Sequence, residues 1–440
     1  MPDYYDSYLK EIIARINRNR KERGCDEGFV FLTDLHIKSN HRRSGHLIAH
    51  LIRETGIRRV FCGGDLVEAF GEGYRTDKDA IDFAVDAFRS DWVRPIRAVG
   101  GLLYCAKGNH DFTVRHSYRS EDGNRGYTCP GTMAKRLLID EWTEKDVVVN
   151  SGDPAACYYY VDVPAAKLRY IVADSTDTEE AGNVGWAVKN GMHHPQIKWL
   201  AGVALMDVPR GYDVIFIQHI PVLAVAGTAE DQRDFWPLRL LLETYQNRGV
   251  FKWDGKDYDF SRAEGKVLVN LTGHHHGETQ TWSKGIVHIS EPCDAAYPDY
   301  DYRSAFCGQL PEKKSGTIYE QTFDVVQVSR RERCLFITRV GGGQHRVVHQ
   351  EPLVLRVGEK RQLCAQWMKD VSDWVAYDGD YSQPHPNPKN RWNPLWVYKN
   401  DFADISSAGL LAAKSAGRVM VMARDKWLNK EIYPIEVSDR

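Results

Sequence analysis

Five short apolar runs, each closing on a polar cluster, constrain this chain more than any other feature: GFVFLTDLH, RRVFCGGDLVE, GGLLYCAKGNHD, YDVIFIQHIP and GKVLVNLTGHHHG. Runs of about four to six residues rich in Val, Ile and Phe, bounded by turn residues, read as buried strands. Helical patterns follow the first two, through Leu47, Ile48, Leu51 and Ile52 and through Ile81, Ala84, Val85 and Phe88. Alternating strands and helices call for a sheet covered by helices, and such sheets bind ligands at the carboxyl ends of their strands. The polar clusters fall there.

Taken together, the strand ends carry Asp34 and His36; Asp65; Asn109, His110 and Asp111; His219; and His274 and His276. A two-metal hydrolytic site needs a carboxylate that can bridge two cations, oxygen and imidazole ligands, and open positions for water and a phosphoryl oxygen. This set contains each part. In extended chain, residues two apart point to the same side, so Asp34 and His36 can share one cation, His274 and His276 can face one cleft, and His275 points away. Singly, Asp65 and Asn109 also suit turns, and His219 also suits a core histidine bonded to a carbonyl. Five clusters together do not reduce to those separate explanations.

The ordered series DLH, GGDLVE, GNHD, QHIP and GHHHG resembles the five-part signature of calcineurin-like metallophosphoesterases, over residues 29 to about 290. The resemblance implies a four-layer αββα sandwich of two mixed β-sheets. It also implies two divalent metal ions per chain, of manganese, iron or zinc, or less often nickel or cobalt. Asp34, His36 and His276 would hold one, Asn109, His219 and His274 the other, and Asp65 would bridge both. The implied reaction is metal-dependent hydrolysis of a phosphomonoester or phosphodiester by a hydroxide bridging the two metals. His110 would assist the leaving group and Asp111 would hold its imidazole. Glu68 stands where the family often has Asp or Asn and is a candidate support for the ligands. Arg115 and His116 are candidates for substrate contact, and Asp174 and Ser175 read as a strand-end cap.

Elsewhere the residues mark structure. The N-terminus spaces Tyr5, Leu9, Ile12, Ile13 and Ile16 like one face of a helix over 4–23 and lacks the apolar core of a signal peptide. No run reaches the roughly eighteen apolar residues of a membrane span. The expected place is the cytoplasm or a phage particle. With 58 Lys plus Arg against 60 Asp plus Glu, the net charge of −2 offers no general signature for nucleic acid. Nine scattered cysteines without a C-x-x-C pair favour reduced thiols, with Cys62 and Cys105 as small buried hydrophobes. RDFWPLRLLLETYQNRG reads as a helix capping the cleft, and QIKWL as a core-facing helix with Trp199 packed.

Glycines 341–343 mark the expected boundary between a catalytic domain over 1–348 and a tail over 349–440. The hairpin sequence before them resembles the closing hairpin of bacterial and phage phosphoesterases. Short alternating strands in the tail, with ISSAGLLAAKSAGRVMVMA, resemble bacterial group 2 immunoglobulin-like modules, interrupted by the Pro-rich 383–394. Such an all-β immunoglobulin-like sandwich would bind a surface, a carbohydrate or a second copy of the chain. Its removal would be expected to leave hydrolysis largely intact. The competing reading is a phage-tail or cell-envelope binding protein that retains the metal site with little turnover.

Overall fold

The computed structural model describes residues 3–37, 44–67, 77–111, 134–177, 191–223, 235–274, 276–294, 314, 316–378 and 400–439. Glu68, Arg115, His116, His275, Cys129, Cys307 and the Pro-rich 383–394 lie outside them. The protein is mixed α/β with several sheets, two of them large and mixed.

Helix α1 (Asp6–Arg23) buries Leu9, Ile12 and Ile16 along one face and ends at Gly24, whose φ of 58° is the left-handed turn that stops a helix. Arg20, Lys21 and Arg23 in its last turn suit the negative end of the helix dipole. Then come β1 (Glu27–Leu32), α2 (Ser44–Thr55), β2 (Arg59–Cys62), α3 (Asp77–Phe88) and β3 (Leu102–Cys105). β1, β2 and β3 are parallel neighbours. A hairpin of β4 (Tyr159–Val163) and β5 (Leu168–Val172) follows, with α4 (His194–Trp199), β6 (Asp213–Ile217) and α5 (Trp236–Gln246). The chain continues through β7 (Val267–Thr272), β8 (Thr279–Ser283), β9 (Ile286–Ser290), β10 (Thr322–Ser329), β11 (Cys334–Gly341) and β12 (Arg346–His349).

The second sheet runs β8-β9-β7-β6-β5-β4 and ends on Val148–Val149. It lies face to face with the first: Phe61 of β2 stacks on Tyr170 of β5 with ring centroids 4.7 Å apart. Helices α1 and α2 share the core built on the first sheet. α4 and α5 close a separate core on the outer side of the second, with Leu200, Phe216, Leu241 and Ile286. Trp199 is packed there against Tyr158 and Tyr160, and Cys62 and Cys105 are buried. Among the described residues no helix is long and apolar enough to cross a membrane.

The tail adds β13 (Val371–Asp378), β14 (Gly417–Asp425) and β15 (Lys430–Ser438). β15 pairs in parallel with β12, Val347 opposite Glu431, so the first sheet runs β13-β14-β15-β12-β11-β10-β1-β2-β3 without a break at residue 349. Three short strands, Lys360–Gln362, Leu410–Ala413 and Ala403–Ile405, form a second small sheet. Leu363, Leu411, Val419, Val421 and Ile435 make the tail's own core.

Candidate metal centre

The parallel strands of both sheets end at one place. Asp34 and His36 follow β1, Asp65 follows β2, Asn109 to Asp111 follow β3, His219 follows β6, and His274 and His276 follow β7. The chain there is not extended, contrary to the expectation from the D-x-H and H-x-H spacing. Asp34, His36, Asp65, His274 and His276 have φ of 55°, 42°, 51°, 72° and 54°. Twelve described non-glycine residues have positive φ, and these are five of them. Left-handed backbone, which Asp and His tolerate better than most residues, turns each strand end inward so that side chains two apart meet at one point. Such conformations persist where neighbours over-determine them. Here the Asp34 N–H donates to the Gly64 carbonyl (2.9 Å) and the His36 N–H to the Asp65 carbonyl (3.0 Å). The His274 N–H donates to the Asp34 carboxylate (3.0 Å) and the His110 N–H to Asp65 Oδ1 (2.7 Å). The loops touch so closely that a Cβ on Gly108 would collide with Asp65, and one on Gly273 with Thr33 and Asp34.

The donor atoms form two groups. Asp34 Oδ1 lies 3.2 Å from His276 Nε2 and 3.7 Å from His36 Nε2, and the two imidazole nitrogens are 3.1 Å apart. Asn109 Oδ1 lies 3.1 Å from His219 Nε2 and 2.8 Å from His274 Nδ1. Asp65 Oδ2 sits between them, 3.0 Å from His219 Nε2 and 3.6 Å from His36 Nε2. His110 joins a third grouping with His36 and Asp65, its ring edge-on to His36 at 4.7 Å. Asp34, His36, Asp65 and His219 are buried, whereas Asn109, His110, His274 and His276 are partly open, so the centre faces solvent on that side.

Electrostatics test whether cations fit. The carboxylates of Asp34 and Asp65 are buried, and the described groups facing them are imidazoles, N–H donors and, at Asp34, the Thr33 hydroxyl (2.8 Å), with no described lysine or arginine bonded to either. Burial alone would raise the carboxyls, but His219, followed by other site histidines, holds both below the usual range. Burial likewise pulls the His219 imidazole down, but Asp65 and Asp34 more than offset this and lift it to about 9. Without metal the pocket therefore holds protons where its carboxylates attract positive charge. His219 Nδ1 faces the Gly63 carbonyl at 3.0 Å, which can only accept, so Nε2 is the nitrogen left for a metal. Hard oxygens and imidazoles converging in this way suit divalent transition ions.

Some expected roles change. Both oxygens of Asp111 accept backbone hydrogens, from Val67 N (2.9 Å) and Gly108 N (3.0 Å). Asp111 thus braces the loops after β2 and β3, and these bonds replace the imagined grip on the His110 imidazole. Asp174 does cap its strand end, accepting from Thr176 N and Oγ1 at 2.9 Å, and it also pairs with Lys107, buried two residues before Asn109. Ser175 Oγ accepts the Ile220 N–H at 3.0 Å, beside His219. α5 lies along the outer face of the second sheet rather than over the cleft, its Gln246 bonding Gly285 and Val267 at the strand starts. Two residues escaped sequence reasoning: Lys107, whose only signal is a cation at the end of an apolar run, and Glu278, two residues after His276.

No protein-family model and no curated protein sequence matches the chain. Solved structures overlap it in part. A dimetal phosphatase from Danio rerio covers 72% of this chain and 96% of its own at 15% identity, with a TM-score of 0.43. GAP50, the anchor in the inner membrane complex of Plasmodium, covers 88% and 99% at 11% identity, with a TM-score of 0.39. A phosphopantetheinyl hydrolase from Mycobacterium tuberculosis covers 61% and 90% at 14% identity, with a TM-score of 0.31. Overlap at this level leaves the chemistry to be decided by the side chains.

Proposed function

We propose that the chain hydrolyses a phosphoester with two divalent cations, one held by Asp34, His36 and His276, the other by Asn109, His219 and His274, with Asp65 shared between them. The observation that carries this is the meeting of two donor groups at Asp65, from strand ends of both sheets, around carboxylates to which no described lysine or arginine is bonded. When bound, the cations polarise the phosphoryl oxygens and lower the pKa of water. Asp34 and Asp65 neutralise them, and the Gly63 carbonyl keeps His219 Nε2 turned inward. His110, fixed through its N–H on Asp65 and partly open to solvent, donates a proton to the leaving oxygen. Asp111 keeps the two loops in register beneath it. The metals are manganese, iron or zinc, with nickel and cobalt as further candidates.

Residues 1–348 supply all the proposed metal ligands and His110, and the C-terminal residues continue the first sheet through β15. Residues 349–440 form an immunoglobulin-like module whose partner is a surface, a carbohydrate or a second copy. The enzyme acts in the cytoplasm or on a phage particle. The test is hydrolysis of bis-p-nitrophenyl and mono-p-nitrophenyl phosphate by metal-stripped protein with and without added Mn²⁺. Metal-dependent nitrophenolate release is expected, and the preferred ester separates diesterase from monoesterase. Bound Mn²⁺ without turnover on either ester would instead support a binding or structural protein that keeps the site.

A further inference from the structure

A second buried charge cluster lies beside the metal loop. Glu278 follows His276 by two residues and is fully buried. Its Oε2 accepts from Arg339 Nη2 (2.7 Å) and its Oε1 from Lys430 Nζ (2.9 Å). Glu291, just after β9, accepts from Arg346 (2.8 Å) and Arg339 (2.9 Å). Asp324 on β10 accepts from Arg339 Nε (2.7 Å) and pairs with Arg346. All six side chains are buried, and their formal charges match, three against three. Arg339 and Arg346 belong to β11 and β12, but Lys430 belongs to β15, the last strand of the tail, 152 residues along the chain from Glu278.

We infer that Lys430 is a positioning residue through which the C-terminal unit sets the metal loop, an inference that rests on the two-metal reading of the site. Glu278 ends the loop that carries His274 and His276, and the described residues of this loop, 273, 274 and 276–278, belong to no helix or strand. Its two ends are fixed differently. At the start, the Gly273 N–H donates to the His219 carbonyl at 2.8 Å; at the end, Glu278 is fixed by Arg339 and Lys430. Lys430 is anchored in turn, its N–H on the His345 carbonyl (3.0 Å) and its Nζ also on Gln344 Oε1 (3.2 Å). Removing its charge leaves Glu278 with excess buried negative charge a few bonds from His276, and the loop end must shift toward the remaining guanidiniums or toward water. Partners that hold metal ligands from behind are typically worth about 10–100-fold in metal affinity.

The test titrates Mn²⁺ into the full-length native chain and Lys430→Met by calorimetry, after circular dichroism has shown the variant folded. A dissociation constant raised by about 10–100-fold is expected in the variant. A purely structural lysine would change the unfolding midpoint and leave the affinity of the folded protein alone, so native affinity in Lys430→Met overturns the inference. If that variant does not fold, hydrogen exchange on the native chain decides. Because coupling between sites is reciprocal, Mn²⁺ is expected to slow exchange at 428–433 as well as at 273–279. Protection confined to 273–279 overturns the inference while leaving the metal site standing. A native chain that binds no Mn²⁺ removes the proposed function, and this inference with it.

Discussion

The metal centre and the Glu278 cluster are both sets of buried carboxylates near the end of β7, and they are balanced in opposite ways. Around Glu278, Glu291 and Asp324 the chain provides its own cations, Arg339, Arg346 and Lys430, as fixed side chains. Around Asp34 and Asp65 it provides imidazoles, which carry charge only when protonated and otherwise offer lone pairs. The first arrangement has its cations built into the chain as fixed side chains. In the proposed function the second exchanges protons for metals, as a hydrolytic centre needs.

The sharpest break of that contrast is Asp65→Asn. Removing the shared carboxylate should abolish metal-dependent hydrolysis and cost metal affinity more than the roughly 100-fold upper range for outer partners, read by calorimetry and turnover on one sample. Arg339→Met attacks the other cluster, leaving carboxylates buried without their main partner. A loss of about 3–5 kcal/mol in urea unfolding is expected, with Mn²⁺ affinity of the folded fraction weakened in the same direction as in Lys430→Met, since both side chains hold Glu278. His110→Ala should retain both metals and lower kcat by roughly 10²–10⁴-fold; metal loss in that variant would make His110 a ligand.

The smallest expected effect is on pH dependence. The carboxylates raise His219 from its ordinary 6.5 to about 9 in the metal-free chain. Its protonation therefore stabilises that form fully below about 6.5, and the stabilisation is lost as pH rises through 9. Metal must displace the same proton, so loading strengthens over that range. Melting temperatures in EDTA should fall between pH 6.5 and 9 while the gain on adding Mn²⁺ grows; parallel curves would place the proton elsewhere.

The meeting of the site's Asp, Asn and His side chains was largely legible in the sequence because a candidate donor set restricts residue type, and because glycines such as Gly108 and Gly273 must precede residues whose loops touch. The route was not. Left-handed φ at Asp34 or His276 comes from contacts between loops far apart in sequence, and the two-residue spacing alone suggested extended chain. The helical face of Leu9, Ile12 and Ile16 was equally readable, since a period of 3.6 needs no tertiary knowledge. The Glu278 cluster was hidden: Arg339 and Arg346 look like ordinary polar strand residues until four strands, β10, β11, β12 and β15, meet the segments that carry Glu278 and Glu291. So was the pairing of β12 with β15. It joins the tail to the first sheet, and the expectation that removing 349–440 leaves hydrolysis largely intact gives way to one in which removal exposes the edge of β12 and strips Glu278 of Lys430.

The most direct test is an anomalous diffraction map from crystals of the native chain loaded with Mn²⁺. Two peaks within bonding reach of Asp65, one beside Asp34, His36 and His276 and the other beside Asn109, His219 and His274, with none among Glu278, Glu291 and Asp324, are the result expected here. No peak at Asp65, or a peak within the Glu278 cluster, would contradict the division between imported and built-in cations.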